Sequence, residues 1–342
     1  MPVARFLQRG LPLLILALLL LGAPAAIAQV GLPEEIGHRQ SWWLHKDVST
    51  IGHEIDLLFD IILWMTLIVG VAVFAVLGYF LVKYRYNPNR TALYIHGNSR
   101  LELVWTLIPA LLMALTAAIS QSTWGKIKNP PEGDKEGNWP TETIAAGKER
   151  SLMTEKVLAG EVVLVEVVAQ QFNWTFHYPG KDGKLGPRRI DLVKKGTLEE
   201  GIGLDRSHPD GKDDYCTGML VLPVNKKVYI HLSSVDVLHS FYLPNFRIKQ
   251  DAVPGLNGKV WLEATKTSAE VIGRVSEVDA FGPQKQFFDR AKPFDIVCAE
   301  LCGGQHYGMR GPLFVVTQEQ FNRYIAAQEA AIKAAGGGDE EY

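Results

Sequence analysis

Three apolar runs, followed by a long tract of short alternating segments, divide the chain. The first run, Leu11 to Leu21, follows Arg5 and Arg9 and precedes the small-residue pattern Ala26-Ile27-Ala28. It is too short for the roughly 20 residues that cross a bilayer, so residues 1–28 read as a secretory signal peptide. The runs Ile61 to Val82 and Leu103 to Ser120 carry no charged residue. Each is long enough, at ~1.5 Å per residue, to reach roughly 27–33 Å, and each predicts a membrane-spanning helix. A buried helix of a soluble core fits less well, because the first run has no polar stripe for a water-facing side. Lys83, Arg85, Arg90 and Arg100 lie between the two runs, which predicts an inside loop with both flanking segments outside. Residues 29–125 then form a helical hairpin. Pro109 inside the second run frees a backbone carbonyl near Trp105, which lipid penalises unless a neighbouring helix covers it.

Residues 126–160, with NPPEGDKEGNWP, read as a linker. Beyond them the period changes. Glu161 to Ala169, Met219 to Ser234, Lys259 to Thr265, Pro293 to Ala299 and Gly311 to Thr317 are rich in Val, Ile and aromatic residues and are separated by turn residues. They predict an antiparallel sandwich or barrel over residues 161–320. The polar stretches 181–214 and 272–292 exceed ordinary hairpin connections and read as surface insertions. Residues 321–342 predict a C-terminal helix and a tail ending in GGGDEEY.

Composition narrows the picture. The 342 residues hold 35 Lys+Arg and 37 Asp+Glu, a net charge of −2, which excludes the strongly basic surface of a nucleic-acid binder. From Asn129 onward 25 basic residues face 30 acidic ones. That balance gives a solvated face or a docking surface for a basic partner. With only Cys216, Cys298 and Cys302, a disulfide-stapled scaffold is excluded.

The candidate chemistry lies in DIVCAELCGGQHYGMRG, where Cys298, Cys302, His306 and Met309 fall within twelve residues. Two thiolates, an imidazole and a thioether favour copper over magnesium or calcium, and the thioether argues against zinc. A Cys298–Cys302 disulfide is the alternative in an oxidising compartment. One imidazole does not complete a two-copper site. His239, in DVLHSFYLPNF after a strand-like segment, is the candidate for the second; His177, His208 and His231 lie in less suggestive surroundings.

Together, DVLHSFYLP and C-x3-C-x3-H-x2-M resemble subunit II of the haem-copper cytochrome c oxidases. The segments LELVWTLIPA, QQFNWTFHYP and NFRIKQDAVPG extend the likeness over nearly the whole mature chain. The resemblance implies a membrane-anchored α+β protein, a two-helix transmembrane hairpin followed by an all-β cupredoxin-like sandwich. It implies a binuclear copper centre, CuA, with Cys298 and Cys302 as bridging thiolates. His239 and Met309 would complete one copper, His306 and the backbone carbonyl of Glu300 the other, and the Glu300 carboxylate would hold a magnesium ion shared with subunit I. It further implies cytochrome c as electron donor, subunit I and subunit III as partners, and oxygen as acceptor. The setting would be a bacterial inner membrane, with the copper domain in the periplasm. Glu102 falls where the family carries a proton-uptake carboxylate.

The sequence departs from the family where Gln-Trp-x-Trp is usual. Here Gln171-Phe172-Asn173-Trp174 makes Phe172 and Trp174 the candidates for accepting the electron, and Phe241-Tyr242 replaces another usual Trp. A copper-bearing subunit of a nitric oxide reductase is the nearest alternative. A membrane-tethered copper chaperone or thiol reductase is a second, disfavoured because His239 precedes the cysteines and Met309 follows them. No Cys-x-x-Cys-His motif for an attached haem follows the sandwich.

Overall fold

The computed structural model describes residues 44–130 apart from 92, 93 and 95, and residues 150–334 apart from 281. The expected signal peptide, the stretch 131–149 of the expected linker and the GGGDEEY tail lie outside them. Two compact units are present. Of the described chain, one comprises residues 44 and 57–119, the other residues 45–56 and 120–334.

The first unit is built on helices α1 (Gly52–Lys83) and α2 (Ser99–Lys128), whose ends belong to the second unit. Both exceed the apolar runs because polar helix-formers continue the helix at either end. Their side chains are apolar around the whole circumference and open to the surroundings, Phe74, Leu81, Leu111 and Met113 among them. Only a hydrocarbon solvent suits such a surface. α2 runs through Pro109 without ending. Lys83 closes α1 and Arg100 lies in the first turn of α2, so both flank the connection between the helices, while Lys126 and Lys128 lie in the last turn of α2.

The second unit holds a β-sandwich. Its strands are β1 (Val162–Gln170), β2 (Asn173–Tyr178), β3 (Tyr215–Thr217), β4 (Leu220–Pro223), β5 (Lys227–Ser234), β6 (His239–Leu243), β7 (Ile248–Ala252), β8 (Gly258–Glu263), β9 (Phe294–Cys298) and β10 (Arg310–Val316). Among the described residues they form two sheets, β3-β2-β1-β5-β8 and β4-β10-β9-β6-β7. β1 pairs with β5 and β4 with β10 in parallel; the other neighbours are antiparallel. The expected segment Met219 to Ser234 is therefore two strands in different sheets. Asn225, at φ 57°, sits in the turn between them, a conformation Asn tolerates better than most residues. β2, β3, β6 and β7 lie outside the five expected runs. Val165, Val167, Trp174, Phe241, Ile296 and Leu313 fill the space between the sheets.

Helix α3 (Leu152–Leu158), inside the expected linker, is part of the sandwich. Ser151 caps it by accepting from the Thr154 N–H, and Met153 packs against Leu164, Tyr229 and Trp261. Short helices follow at α4 (Leu198–Ile202), α5 (Ser268–Val271) and α6 (Gly282–Gln286). The C-terminal helix α7 (Gln318–Ala334) buries Tyr324 against Phe288 on the outer face of β4 and β10.

The insertion 181–214 is more than surface. Ile202 and Leu204 pack on Val168, and a buried charge cluster ties the segment to β1 and β2. His177 Nδ1 lies 2.8 Å from Glu166 Oε2 and its Nε2 lies 2.6 Å from Asp214 Oδ2. Arg188 donates to Glu166 Oε1 at 2.8 Å, and Asp214 accepts from the N–H groups of Gly180 and Gly186. Burial alone would lower the His177 pKa, but the bonds and charges of Asp214 and Glu166 raise it to about 9. Burial likewise opposes ionisation of Glu166, yet His177 and Arg188 hold it at about 2.

Candidate metal centre

The period-2 geometry of two paired strands creates the centre. In β9, Phe294, Ile296 and Cys298 face inward, and in β6 His239, Phe241 and Leu243 do the same. Phe241 is opposite Cys298 in the antiparallel register. His239, two residues further along the same face, therefore reaches the sulfur diagonally. Cys298 Sγ lies 3.8 Å from His239 Nδ1. His239 follows β5 as expected and itself opens β6, so its side chain is fixed by the pleat.

The remaining donors come from the loop joining β9 to β10. It closes through Cys298 N–H to the Met309 carbonyl at 3.2 Å, and a single 3-10 turn, His306–Gly308, brings its far side back. Cys302 Sγ is then 3.8 Å from Cys298 Sγ, 3.6 Å from His306 Nδ1 and 3.8 Å from Met309 Sδ. The Glu300 carbonyl oxygen lies 3.2 Å from Cys298 Sγ. All six candidates thus converge, and both thiols are free. His239 and Met309 are fully buried and the two cysteines nearly so. Burial, then the neighbouring Cys298 thiol, push the Cys302 thiol up to about 11.

Gly303 permits this loop path. Its φ is +135°, and a Cβ there would stand 2.9 Å from Gln171 Nε2 and 3.0 Å from Phe172 Cζ. A side chain would collide with the β1–β2 turn. Gln171 Nε2 also donates to the Cys302 carbonyl at 2.6 Å, so the turn holds the loop from above.

Two contributors escape a sequence reading. Asp236 Oδ1 is 2.9 Å from His239 Nε2, and Asp236 Oδ2 accepts from the Gln171 N–H at 2.7 Å. Burial opposes ionisation of Asp236, but these contacts hold its carboxyl below the usual carboxylate range. Asp236 is visible in DVLH, yet nothing in sequence spacing says that the carboxylate returns to the outer ring nitrogen. Gln171 stands in the QQFNWTFHYP segment, but nothing in the sequence says that its amide reaches a carbonyl 131 residues away.

Phe172 is half-buried against the loop. Trp174 is 1% exposed; its ring centroid is 6.2 Å from that of His239 and 5.5 Å from that of Phe241. Trp174, a candidate for electron entry, faces inward from β2 and packs in the core, beside the ring of His239. The Glu300 side chain is exposed. Glu102 lies in the first turn of α2, also exposed. Cys216, in β3, is half-buried beside Val168 and Ile202, and burial raises its pKa strongly.

Two sulfurs that both approach imidazole nitrogens, with a thioether and a carbonyl beside them, form a soft donor set without charge-bearing oxygen at its centre. That chemistry fits copper. The two-sheet architecture is unlike the α/β pattern expected of a thioredoxin-like copper chaperone.

Comparison with known proteins agrees. The profile of the cytochrome C oxidase subunit II transmembrane domain matches residues 39–122, and that of the subunit II periplasmic domain matches residues 163–286. The alternative cytochrome c oxidase subunit 2 of Bradyrhizobium diazoefficiens is 28% identical over 297 residues, covering 86% of this chain and 87% of the relative. The cytochrome c oxidase subunit 2 of Thermostichus vulcanus is 26% identical, covering 87% and 82%. A crystal structure of the periplasmic domain of cytochrome oxidase subunit II from Bradyrhizobium japonicum has 20% identity over 50% of this chain and 95% of its own, with a TM-score of 0.30. The paired profiles, which span the helical hairpin and most of the sandwich, and the near-full-length relatives establish that this chain belongs to the cytochrome c oxidase subunit II family.

Proposed function

We propose that the chain accepts electrons from cytochrome c at a two-copper centre and passes them to the haem of subunit I, where oxygen is reduced to water. The observation that carries this reading is one buried pair of free thiols, 3.8 Å apart, each with its own imidazole nitrogen within 3.8 Å. Cys298 and Cys302 would bridge the metals, with His239, His306, Met309 and the Glu300 carbonyl completing the set. When bound, such a pair takes up and releases single electrons.

The chain's own residues keep that exchange fast. The β6–β9 register fixes His239 and Cys298, the Gln171 bond fixes Cys302, and burial keeps water out, so little rearranges when charge changes. Asp236 holds the His239 ring in one orientation, the usual role of a carboxylate behind a metal-bound imidazole. Around the loop, Leu301, Tyr307 and Leu238 are exposed apolar side chains, a surface suited to a protein donor together with Phe172. The exposed Glu300 carboxylate supports a magnesium site shared with subunit I. A helical hairpin whose connection carries Lys83, Arg85, Arg90 and Arg100 supports placement in a bacterial inner membrane, with the sandwich in the periplasm.

The test is rapid mixing of the copper-loaded chain with reduced cytochrome c. The reading expects cytochrome oxidation by the wild type and its loss in Cys302→Ser. Equal oxidation by both proteins contradicts it.

A further inference from the structure

We propose that the second unit carries a binding site for one anionic phospholipid of the outer leaflet. At the open edge of the sandwich, where the edge strands β7 and β8 lie, is a partly open cavity of about 250 Å³. Its floor is apolar, formed chiefly by Ile51, Ile55, Ile127, Phe246 and Trp261. The last turn of α2 closes one side, pinned by the Trp261 indole N–H, which donates to the Ile127 carbonyl at 3.0 Å.

The rim is basic. Lys128, Lys249 and Lys259 line it with Arg247 and a single acidic residue, Glu263. Arg247 is already paired with Asp56 at 2.6 Å. Lys128 and Lys249 are held differently. The Lys128 ammonium lies 4.9 Å over the Trp124 ring and donates to Gln250 Oε1 at 3.3 Å, and the Lys249 ammonium lies 4.7 Å over the Tyr242 ring. Aromatic faces and an amide orient these cations without neutralising them, so their charge remains available to an anion.

Depth along α2 identifies the ligand's source. Trp124 is four residues beyond Ser120, the end of the apolar run, about 6 Å along the helix axis. That is the headgroup layer outside the hydrocarbon, where Trp, Tyr and Lys concentrate. A cavity with an apolar floor, a lysine rim and this depth is complementary to a phosphate diester carrying an acyl chain. The phosphate would sit between Lys128 and Lys249, and the chain would begin over Ile55 and Ile127.

The test uses the intact oxidase complex in nanodiscs of phosphatidylcholine containing one-fifth phosphatidylglycerol. Lipids that remain after release are counted by native mass spectrometry. The proposal expects one phosphatidylglycerol to stay with the complex. In Lys128→Gln/Lys249→Gln, retention should weaken by about five-fold for each lysine removed, with the copper spectrum unchanged. Equal retention by wild type and variant overturns the proposal, as does retention of phosphatidylcholine in equal measure. Displacement of the lipid by millimolar inorganic phosphate overturns the acyl-chain seat. A cross-link from Lys128 to another subunit, with no lipid retained, shows that protein covers the cavity and also overturns the proposal.

Discussion

Replacing His177 by Gln tests whether buried charge holds the insertion to the sandwich. Both ring nitrogens face carboxylates, at 2.8 Å and 2.6 Å. A neutral imidazole has one N–H and would set its bare nitrogen against an acceptor, so the geometry requires the imidazolium. With a folded pKa of about 9 against an ordinary 6.5, the proton contributes on the order of 3 kcal/mol. Between pH 6.5 and 9 the folded chain holds a proton that the unfolded chain has released. The contribution is therefore complete below pH 6.5 and lost as pH rises through 9. Glu166, held at about 2, acts oppositely: its contribution is present above about pH 4.5 and lost as pH falls through 2. For a unit of this size about 3 kcal/mol corresponds to roughly 6–12 °C in Tm. Thermal melts of the full chain in detergent, followed by circular dichroism from pH 5 to 10, should show the wild type losing that much above pH 6.5. His177→Gln should melt lower at pH 6, because it leaves Glu166 and Asp214 short of a buried cation, and should be flat between pH 6.5 and 9. A variant with the wild-type slope refutes the assignment.

Asp236→Ala should weaken copper affinity roughly 10–100-fold in a chelator competition, with the protein still folded, since it removes the group that orients His239. Phe172→Ala should slow electron transfer from cytochrome c without copper loss, and added salt should slow the wild type if complementary charge guides docking; rates that ignore both changes argue for a different docking face. Glu102→Ala should slow oxygen turnover of the assembled oxidase while copper content stays at the wild-type value, and unchanged turnover removes Glu102 from proton uptake.

The membrane helices were legible because a continuous apolar surface leaves no other solvent, though their ends were not: polar residues such as Glu54 and Lys126 extend the helices past the apolar runs. Strands rich in Val and Ile were legible too. β6 and β7 were not, because HSFYL and IKQDA carry polar residues that a single strand pattern does not explain. β6 is placed by pairing with β9, a long-range fact, and β7 by pairing with β6. The copper loop was visible as residue chemistry within twelve positions, and His239 as the missing imidazole. Gln171 and Asp236, which hold the loop and the ring, act across distances that leave no local signal. Trp174 matched a motif in sequence, yet the inward side of β2 decided its position. His177 looked uninformative because its partners, Glu166 and Asp214, are 11 and 37 residues away.

Copper content with the electron paramagnetic resonance spectrum of the one-electron-oxidised pair tests the central claim most directly. The account predicts two coppers per chain sharing one unpaired electron. Cys298→Ser and Cys302→Ser should each abolish that signature, because a hydroxyl does not replace a soft bridging thiolate, and Met309→Leu should retain copper with an altered potential. A chain that binds one zinc, or that forms a Cys298–Cys302 disulfide and takes up no copper after exposure to Cu(I) and Cu(II), would contradict it.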